Sequence, residues 1–444
     1  MLKFGTDGVR GVANVELTPE LALALGRAAA REVPGVRWGI GRDTRRSGPL
    51  LEAAFAAGLA SEGLDVVSLG VAPTPAVAWW SATEAAPAAV ISASHNPFPD
   101  NGIKVFSAGG LKLPDAVEER LEATLMGLLS GSGSPKSTAP QGAEVGALTS
   151  AAVHGDYGAT VAASIEGRRL DGLRLVVDCA NGASSVVAPD VLRGLGADIQ
   201  VLNAAPDGIN INHGCGSNHP GDLQDAVADS DADAGVAFDG DADRTVLVDG
   251  SGRLVDGDHV IGVCAIDMAA RGLLPADTVV VTVMTNLGFR LGMAERGINV
   301  VETKVGDRYV LEALDEGGFA LGGEQSGHVI FRRLATTGDG LLTAVQTLDV
   351  VARTGKPLGQ LADEAMTQLP QVLHNVRVAE RDPGIIDRLA DEIAEVEAEL
   401  GDKGRVLVRP SGTEPLIRVM VEAPTRQTAE AAAQRLIQAV ERLT

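Results

Sequence analysis

The chain has 444 residues, of which 45% are hydrophobic and 22% charged, a composition typical of a globular enzyme with two to four domains. This composition excludes disorder, collagen and coiled coil. The 37 Lys and Arg against 59 Asp and Glu leave a net charge of −22, which argues against nucleic acid or an anionic membrane as a partner. A small anion can still bind where cations and backbone N–H groups cluster.

The amino terminus and the cysteines predict a cytoplasmic protein. The opening residues MLKFGTDGVRGV do not form a signal peptide, and no run of about 18 uncharged apolar residues follows. Cys179, Cys215 and Cys264 are odd in number and lack any C-x-x-C pairing. We therefore expect three reduced structural thiols, with neither a disulfide framework nor a zinc site.

A strand–helix–strand unit recurs three times in the first three quarters of the chain. The predicted strand pairs are 36–41 with 64–70, 173–179 with 197–202, and 278–284 with 298–304. Each copy is followed by another apolar strand that runs into a polar loop, in AAVISASHNP, AGVAFDGDADR and FALGGEQSGH. Because ligands bind beyond the carboxyl ends of parallel strands, we expect the three loops to face one cleft.

Composition predicts three similar mixed-sheet α/β domains and a smaller C-terminal α+β domain, arranged around a central cleft. A Gly/Ser/Pro stretch follows the first repeat, after a helix with a capping-box-like start at Asp115 and Glu118. The second and third segments meet at DGSGR, and the pattern changes again after LPQ. The expected domains are 1–150 with the serine loop, 151–250 with the metal-binding loop, 251–368 with the sugar-binding loop and 369–444 with the phosphate-binding loop.

The segment AFDGDADR predicts a metal site. Asp239, Asp241 and Asp243 alternate directly after a strand, and alternate side chains of a near-extended backbone point the same way. Three convergent carboxylates suit Mg²⁺. An EF-hand is excluded because Arg244 stands where that loop needs Gly. The alternative, a solvated acidic turn, is disfavoured because Arg244 alone would not offset the mutual repulsion.

The segment ISASHNPFPDNGIKVF places Ser94, His95 and Asn96 in a turn before a strand that carries Lys104. A hydrolase nucleophile is not indicated, because there is no G-x-S-x-G elbow. A phosphoryl carrier needs a divalent metal and a cationic neighbour, which the aspartates and Lys104 supply. The alternative is that these are ordinary turn residues.

Two glycine-rich segments add candidate ligand contacts. GGEQSGH presents Glu324, Ser326 and His328, of which the first two suit sugar hydroxyls, although glycine-rich turns are common without a ligand. FGTDGVRG presents Thr6 and Arg10 to a possible anion.

The tail motif RPSGTEP lies between two predicted strands and resembles an anion-binding nest with a cationic partner. A decorated hairpin turn is the alternative. The candidate phosphate contacts of this tail region are Arg409, Ser411, Gly412, Thr413 and Arg418.

The segment GRDTRRSG adds Arg42, Arg45 and Arg46, which are more typical of a solvated surface.

Together, SASHNP, DGDADR, GEQSGH and RPSGTEP resemble the α-D-phosphohexomutase superfamily over essentially the full chain. FGTDGVRG, and Gln325 after the glutamate, are similar to the bacterial phosphoglucosamine mutases. The resemblance implies a four-domain heart-shaped fold and interconversion of glucosamine 6-phosphate and glucosamine 1-phosphate, on the route to UDP-N-acetylglucosamine and cell-wall precursors. The alternative within the superfamily is a phosphomannomutase/phosphoglucomutase.

The resemblance also implies residue roles. Ser94 would be the phosphoserine, and its phosphate would bind one Mg²⁺ with Asp239, Asp241 and Asp243. Arg10, Lys104 and His328 match positions that transfer protons or stabilise charge, and His95 is a further candidate base. The substrate contacts would be Glu324, Ser326, Arg244, Arg409, Ser411, Gly412, Thr413 and Arg418.

Two readings from other classes stay open at this point. Asp241-Ala-Asp243-Arg-Thr245 imitates the D-x-D-x-T nucleophile motif of haloacid-dehalogenase-type phosphatases. A phosphosugar-binding protein without catalysis would have no need of Ser94. For the phosphohexomutase reading we expect a monomer or homodimer whose partner is a small phosphosugar, with a positive cleft inside an acidic shell.

Overall fold

The computed structural model describes residues 8–131, 139–378, 384–410 and 415–443. None of the helices in these ranges is long and apolar enough to cross a membrane. The chain forms two compact units. One comprises Met1–Val283 and Ile298–Glu364, and the other comprises Met284–Gly297 and Ala365–Thr444.

The first sheet contains the first repeat. Its strands lie in the order β1-β5-β4-β2-β3-β7, with β6 on β5: β1 (Val9–Val12), β2 (Arg37–Arg42), β3 (Asp65–Val71), β4 (Ala88–Ile91), β5 (Asp100–Ser107), β6 (Leu111–Lys112) and β7 (Leu148–Ser150). Its helices are α1 (Pro19–Glu32), α2 (Gly48–Ser61), α3 (Thr74–Glu84) and α4 (Asp115–Leu129). Trp38, Phe55 and Leu25 belong to the buried apolar cluster that joins sheet and helices.

The second sheet has the order β12-β11-β10-β8-β9. The elements of this segment are α5 (His154–Ala163), β8 (Arg174–Asp178), α6 (Ala188–Gly194), β9 (Asp198–Leu202), α7 (Gly221–Ala228), β10 (Ala234–Phe238), β11 (Thr245–Asp249) and β12 (Leu254–Val255). Val176, Leu223 and Val248 are buried together in its core.

The third sheet has the order β14-β13-β15-β16. The elements of this part of the chain are α8 (Gly257–Ala270), β13 (Thr278–Thr282), α9 (Leu287–Ala294), β14 (Asn299–Thr303), α10 (Asp307–Gly317), β15 (Leu321–Gly323), β16 (Val329–Phe331), α11 (Gly340–Thr354) and α12 (Leu358–Ala365). Helix α9 falls in the second compact unit.

The three sheets share one arrangement, which confirms the predicted repeat. In each, the first strand of the repeat pairs in parallel with both the second strand and the following apolar strand, as in β2 with β3 and β4. The same holds for β8 with β9 and β10, and for β13 with β14 and β15. The third strand then pairs with an antiparallel return strand. The three polar loops follow β4, β10 and β15, at equivalent positions.

The C-terminal unit contains an antiparallel sheet in the order β17-β19-β18. Its further elements are β17 (Gln371–Arg377), α13 (Ile385–Arg388), α14 (Ala390–Leu400), β18 (Arg405–Pro410), β19 (Leu416–Glu422) and α15 (Arg426–Leu443). This is the smaller α+β domain expected from the sequence.

One local prediction was wrong. Helix α4 begins at Asp115, but its N-cap is Pro114, which has no side-chain acceptor and makes no capping hydrogen bond. Glu118 instead accepts a hydrogen bond from Arg308 Nη2 at 2.6 Å, and Asp115 pairs with the same guanidinium. Asp115 and Glu118 therefore connect α4, which covers the first sheet, to Arg308 on α10 beside the third sheet, and they do not form a capping box.

Candidate active site

Ser94 lies in the loop that follows β4, in the left-handed region with φ of +50°. Its N–H donates to Ser92 Oγ at 2.9 Å. Its own Oγ donates to Asp239 Oδ2 at 2.7 Å and lies 3.2 Å from His95 Nδ1. The serine of the first repeat thus contacts the acidic loop of the second.

Asp239, Asp241 and Asp243 are buried, and each offers a carboxylate oxygen within 4.8 Å of the others. The carboxylates converge as predicted, but the predicted reason was wrong. The backbone is not extended, because it turns tightly between β10 and β11 with Ala242 at a φ of +58°. A turn brings alternate side chains to one point, whereas an extended strand would space them along a line.

The triad has the electrostatics of a cation site. Burial, together with the neighbouring aspartates, raises the pKa of both Asp239 and Asp241. Burial would also raise the pKa of Asp243, but His328, Lys104 and Arg244 hold it well below its usual range. Within the described residues, Oδ1 of Asp241 and Oδ1 of Asp243 are buried without a hydrogen-bond partner. Such oxygens suit a hard divalent cation, so the residues present can hold a metal ion.

Besides Ser94, two cations and the hydroxyl of Thr74 lie against the triad. Lys104 Nζ lies 3.6 Å from Asp243 Oδ2, and Arg244 Nε lies 3.9 Å from Asp243 Oδ1. Thr74 Oγ1 donates to Asp241 Oδ2 at 2.6 Å. Sequence reasoning missed Thr74, because its only signal is that it opens α3 behind a proline.

The two candidate histidines occupy different positions. Burial, with the charges of Arg244 and Arg10, lowers the pKa of His95 and so favours the neutral imidazole beside Ser94. His328 is buried with Nδ1 3.6 Å from Asp243 Oδ2, and its Nε2 accepts the Gly338 N–H. Burial would lower the pKa of His328, but Asp243 outweighs it and raises that pKa. His328 therefore contacts the triad through Asp243, from the buried side.

The loop after β15 joins the same site. Gly327 accepts the N–H of Thr245 at 3.1 Å, which places the GEQSGH loop beside the aspartate turn. Glu324 is half-buried, and its Oε1 accepts the N–H of Gly306 at 3.0 Å. Ser326 is exposed at the tip of the turn. The three polar loops of the repeat thus meet in one place.

The three arginines of GRDTRRSG differ in their exposure: Arg46 is exposed, Arg42 is half-buried and Arg45 is buried. Arg45 is fully buried against Asp43, with Nε 2.8 Å from Oδ2. Arg42 pairs with Glu52 at 2.7 Å. The expectation of a solvated side chain was therefore wrong for Arg45, because the buried Asp43 carboxylate and the loop carbonyls bind it, whereas Arg46 is exposed as expected.

In the C-terminal unit, Arg409 and Arg418 are cross-strand partners on β18 and β19. Burial, with the charge of Arg418, lowers the pKa of Arg409. Two facing cations repel each other, and an anion between them would relieve the repulsion. Ser411, Gly412 and Thr413, and Thr6 at the other end of the chain, lie outside the described residues.

The chain is a multidomain α/β protein with a candidate metal site. Loops of its three repeated sheets bring a serine against a buried aspartate triad. Four family models cover almost the whole chain. They describe alpha/beta/alpha domains I, II and III of phosphoglucomutase/phosphomannomutase at residues 1–128, 156–252 and 256–369, and its C-terminal domain at 373–439. The chain belongs to the phosphoglucomutase/phosphomannomutase family.

Individual relatives agree with this assignment. The phosphoglucosamine mutase of Frankia alni is 55% identical over 98% of this chain and 96% of its own length. A phosphoglucomutase/phosphomannomutase family protein from Burkholderia thailandensis superimposes with a TM-score of 0.81 at 25% identity, covering 100% of this chain and 98% of that one. Aspergillus fumigatus N-acetylphosphoglucosamine mutase, solved with GlcNAc-6P and magnesium, gives a TM-score of 0.66 at 20% identity over 99% and 95% of the two chains, a likeness of fold.

Proposed function

We propose that the chain interconverts glucosamine 6-phosphate and glucosamine 1-phosphate through a phosphorylated Ser94 and a 1,6-bisphosphate intermediate. The observation that carries the proposal is the 2.7 Å hydrogen bond between Ser94 Oγ and a carboxylate of the triad. The names of relatives such as the Frankia alni enzyme favour glucosamine over glucose or mannose. The product would feed UDP-N-acetylglucosamine and cell-wall precursor synthesis in the cytoplasm, and the oligomeric state stays predicted as monomer or homodimer.

The chemistry is two phosphoryl transfers in opposite directions. In the first, the P–Oγ bond of phospho-Ser94 breaks and a bond forms to the O1 oxygen of glucosamine 6-phosphate. The O1 proton passes to a neighbouring base, for which His95, with Nδ1 3.2 Å from Ser94 Oγ, is a candidate, and Ser94 Oγ takes up a proton as it leaves. The bisphosphate then turns around and returns its 6-phosphoryl group to Ser94, releasing glucosamine 1-phosphate.

Asp239, Asp241 and Asp243 would hold one Mg²⁺ together with an oxygen of the seryl phosphate. When bound, the ion offsets negative charge on the transferring group. Lys104 and Arg10 add positive charge from the first sheet, and His328 keeps Asp243 ionised.

Substrate positioning is assigned to the remaining candidates. Glu324 and Ser326 would hydrogen-bond the sugar, with Arg244 beside them, and orientation of a reactant can supply up to roughly 7–11 kcal/mol in the best cases. The non-reacting phosphate would bind at Arg409, Ser411, Gly412, Thr413 and Arg418.

The test is conversion of glucosamine 6-phosphate with Mg²⁺ and a trace of the 1,6-bisphosphate, comparing kcat/KM with the glucose and mannose phosphates. We expect glucosamine to be preferred and Ser94→Ala to lose activity by at least about 10³-fold. Ser130→Ala is the control and should be fully active. A higher kcat/KM for mannose or glucose phosphates would show that the protein is a phosphomannomutase/phosphoglucomutase instead.

Phosphopeptide mapping separates this mechanism from the two other classes. Label on Ser94 is expected. Label on Asp241 would support a phosphatase mechanism, which the family assignment over the whole chain already disfavours. Undiminished activity of Ser94→Ala would overturn the phosphoserine mechanism.

A further inference from the structure

Arg45 is fully buried, and both terminal nitrogens of its guanidinium donate to the serine loop, which follows β4 and runs from Ser92 to Asp100. Nη2 donates to the carbonyl oxygens of Ser94 at 2.9 Å and Asn96 at 2.7 Å. Nη1 donates to the carbonyls of Pro97 and Asp100. One planar group thus fixes four carbonyl groups across the turn that carries Ser94. A lysine could not reproduce this pattern, because it lacks the planar fork of five donors.

A second set of bonds fixes the other side of Ser94. Asp43 Oδ2 accepts from Arg45 Nε at 2.8 Å and from Ser92 Oγ at 2.6 Å. Ser92 Oγ in turn accepts the Ser94 N–H at 2.9 Å. Both the N–H and the C=O of Ser94 are therefore tied to the Asp43–Arg45 pair, which sustains its left-handed φ of +50°.

The second sheet's segment contributes to the same loop through Asn212. Its Nδ2 donates to the carbonyl oxygens of Ser94 at 2.8 Å and Asn96 at 3.1 Å, the same two that Arg45 Nη2 contacts. Asn212 itself has a φ of +57°, in the left-handed region that glycine adopts readily. The carbonyls are therefore held from two of the three segments that form the site.

We propose that Arg45 and Asn212 are positioning residues that hold Ser94 in line for phosphoryl transfer between the enzyme and the sugar phosphate. The inference rests on the proposed function. Neither side chain needs to touch the substrate. They act by fixing the backbone from which Oγ projects, and a misplacement of about 1 Å can reduce a rate about 100-fold.

The experiment compares Arg45→Lys and Asn212→Gly with the matched control Arg31→Lys. Arg31 pairs with Glu62 at 2.8 Å in the same domain and away from the loop. Glycine at 212 keeps the left-handed backbone while removing the amide. We expect kcat to fall at least tenfold in both loop variants, with KM for glucosamine 6-phosphate and the Mn²⁺ affinity of the triad each within threefold of wild type. Arg31→Lys should keep the wild-type kcat.

A structural role would predict a different result. If the loop variants lose only thermal stability while kcat per folded molecule is unchanged, the positioning role is overturned. If Arg45→Lys fails to fold, Asn212→Gly alone decides between the two outcomes by the same measurements. A wild-type chain without mutase activity would overturn the proposed function, and the inference with it, whereas an active wild type with unaffected variants overturns only the inference.

Discussion

Asp339 is a buried carboxylate that links a helix start to the active site. Its oxygens accept from the hydroxyl of Tyr157 at 2.9 and 3.0 Å, and Oδ1 also caps α11 through the N–H of Leu342. Burial raises the pKa of Asp339 to about 6, although these hydrogen bonds oppose the rise. Gly340, the next residue, donates to the Ala242 carbonyl inside the aspartate turn. A protonation change at Asp339 therefore affects the start of α11, which is hydrogen-bonded to the turn that carries the triad.

We predict that Asp339→Asn flattens the pH dependence of stability. The folded pKa of about 6 lies above the ordinary 3.8, so the folded state binds more protons between these values. The free energy of unfolding should therefore fall as pH rises through this window and stay reduced above it, by up to about 3 kcal/mol. Urea unfolding at about pH 4 and about pH 7 measures the difference. Asparagine keeps the cap and removes the titration.

Tyr157→Phe provides the opposite control. It deletes a hydrogen bond that lowers the pKa of Asp339, so it should move the end of the window to higher pH. An Asp339→Asn variant whose stability still falls as steeply as that of wild type would contradict the assignment of the titration to this carboxyl.

Helices α1 and α2 pack closely through two glycines. A Cβ atom on Gly26 would lie 2.3 Å from the carbonyl oxygen of Phe55, and one on Gly58 would lie 2.3 Å from that of Leu23. Backbone cannot move aside as a flexible side chain can. The two glycines therefore set the distance at which these helices cover the first sheet.

We predict that Gly26→Ala destabilises the protein by about 1–3 kcal/mol, because the added methyl group forces the two helices apart. Gly155→Ala in α5 is the control, since its Cβ would meet open space. That substitution should be neutral or should stabilise by up to about 1 kcal/mol through helix propensity. Thermal or urea unfolding of both variants decides the matter. Equal effects of the two substitutions would show that helix packing at Gly26 is looser than the structure has it.

The same elements show how far the sequence could predict the structure. Apolar runs bounded by glycine located the repeated strands, because burial and turns leave a local record. The meeting of the loops that carry Ser94 and Asp239 followed from their equivalent positions in the repeat. The turn at Ala242 did not, since a left-handed alanine has no sequence signature. The burial of Arg45 was hidden too, because apart from Asp43 its partners are carbonyl groups, which every residue has.

At the scale of the whole molecule, the C-terminal unit is built from two distant segments. Glu422, fully buried on β19, accepts from Arg405 Nε at 3.1 Å and from two groups at the start of α9, Leu287 N–H at 2.9 Å and Asn286 Nδ2 at 3.2 Å. Burial raises the pKa of Glu422, and the Arg405 charge and the Leu287 N–H oppose it. Bonds across about 135 residues leave no local pattern, so the predicted boundary at 368/369, which stays a prediction, took no account of α9.

We predict that a fragment of residues 365–444 is unstable alone and folds cooperatively when residues 284–297 are joined to it by a flexible linker. Without that segment, Glu422 keeps Arg405 but loses the donors of Leu287 and Asn286, and hydrogen bonds to a charged group contribute about 1.5–3 kcal/mol each. Glu422→Leu in the short fragment should recover part of the lost stability, because it removes the charge itself. Circular dichroism during thermal unfolding compares the three proteins. A short fragment that melts as cooperatively and as high as the joined one would show that α9 is dispensable to this unit.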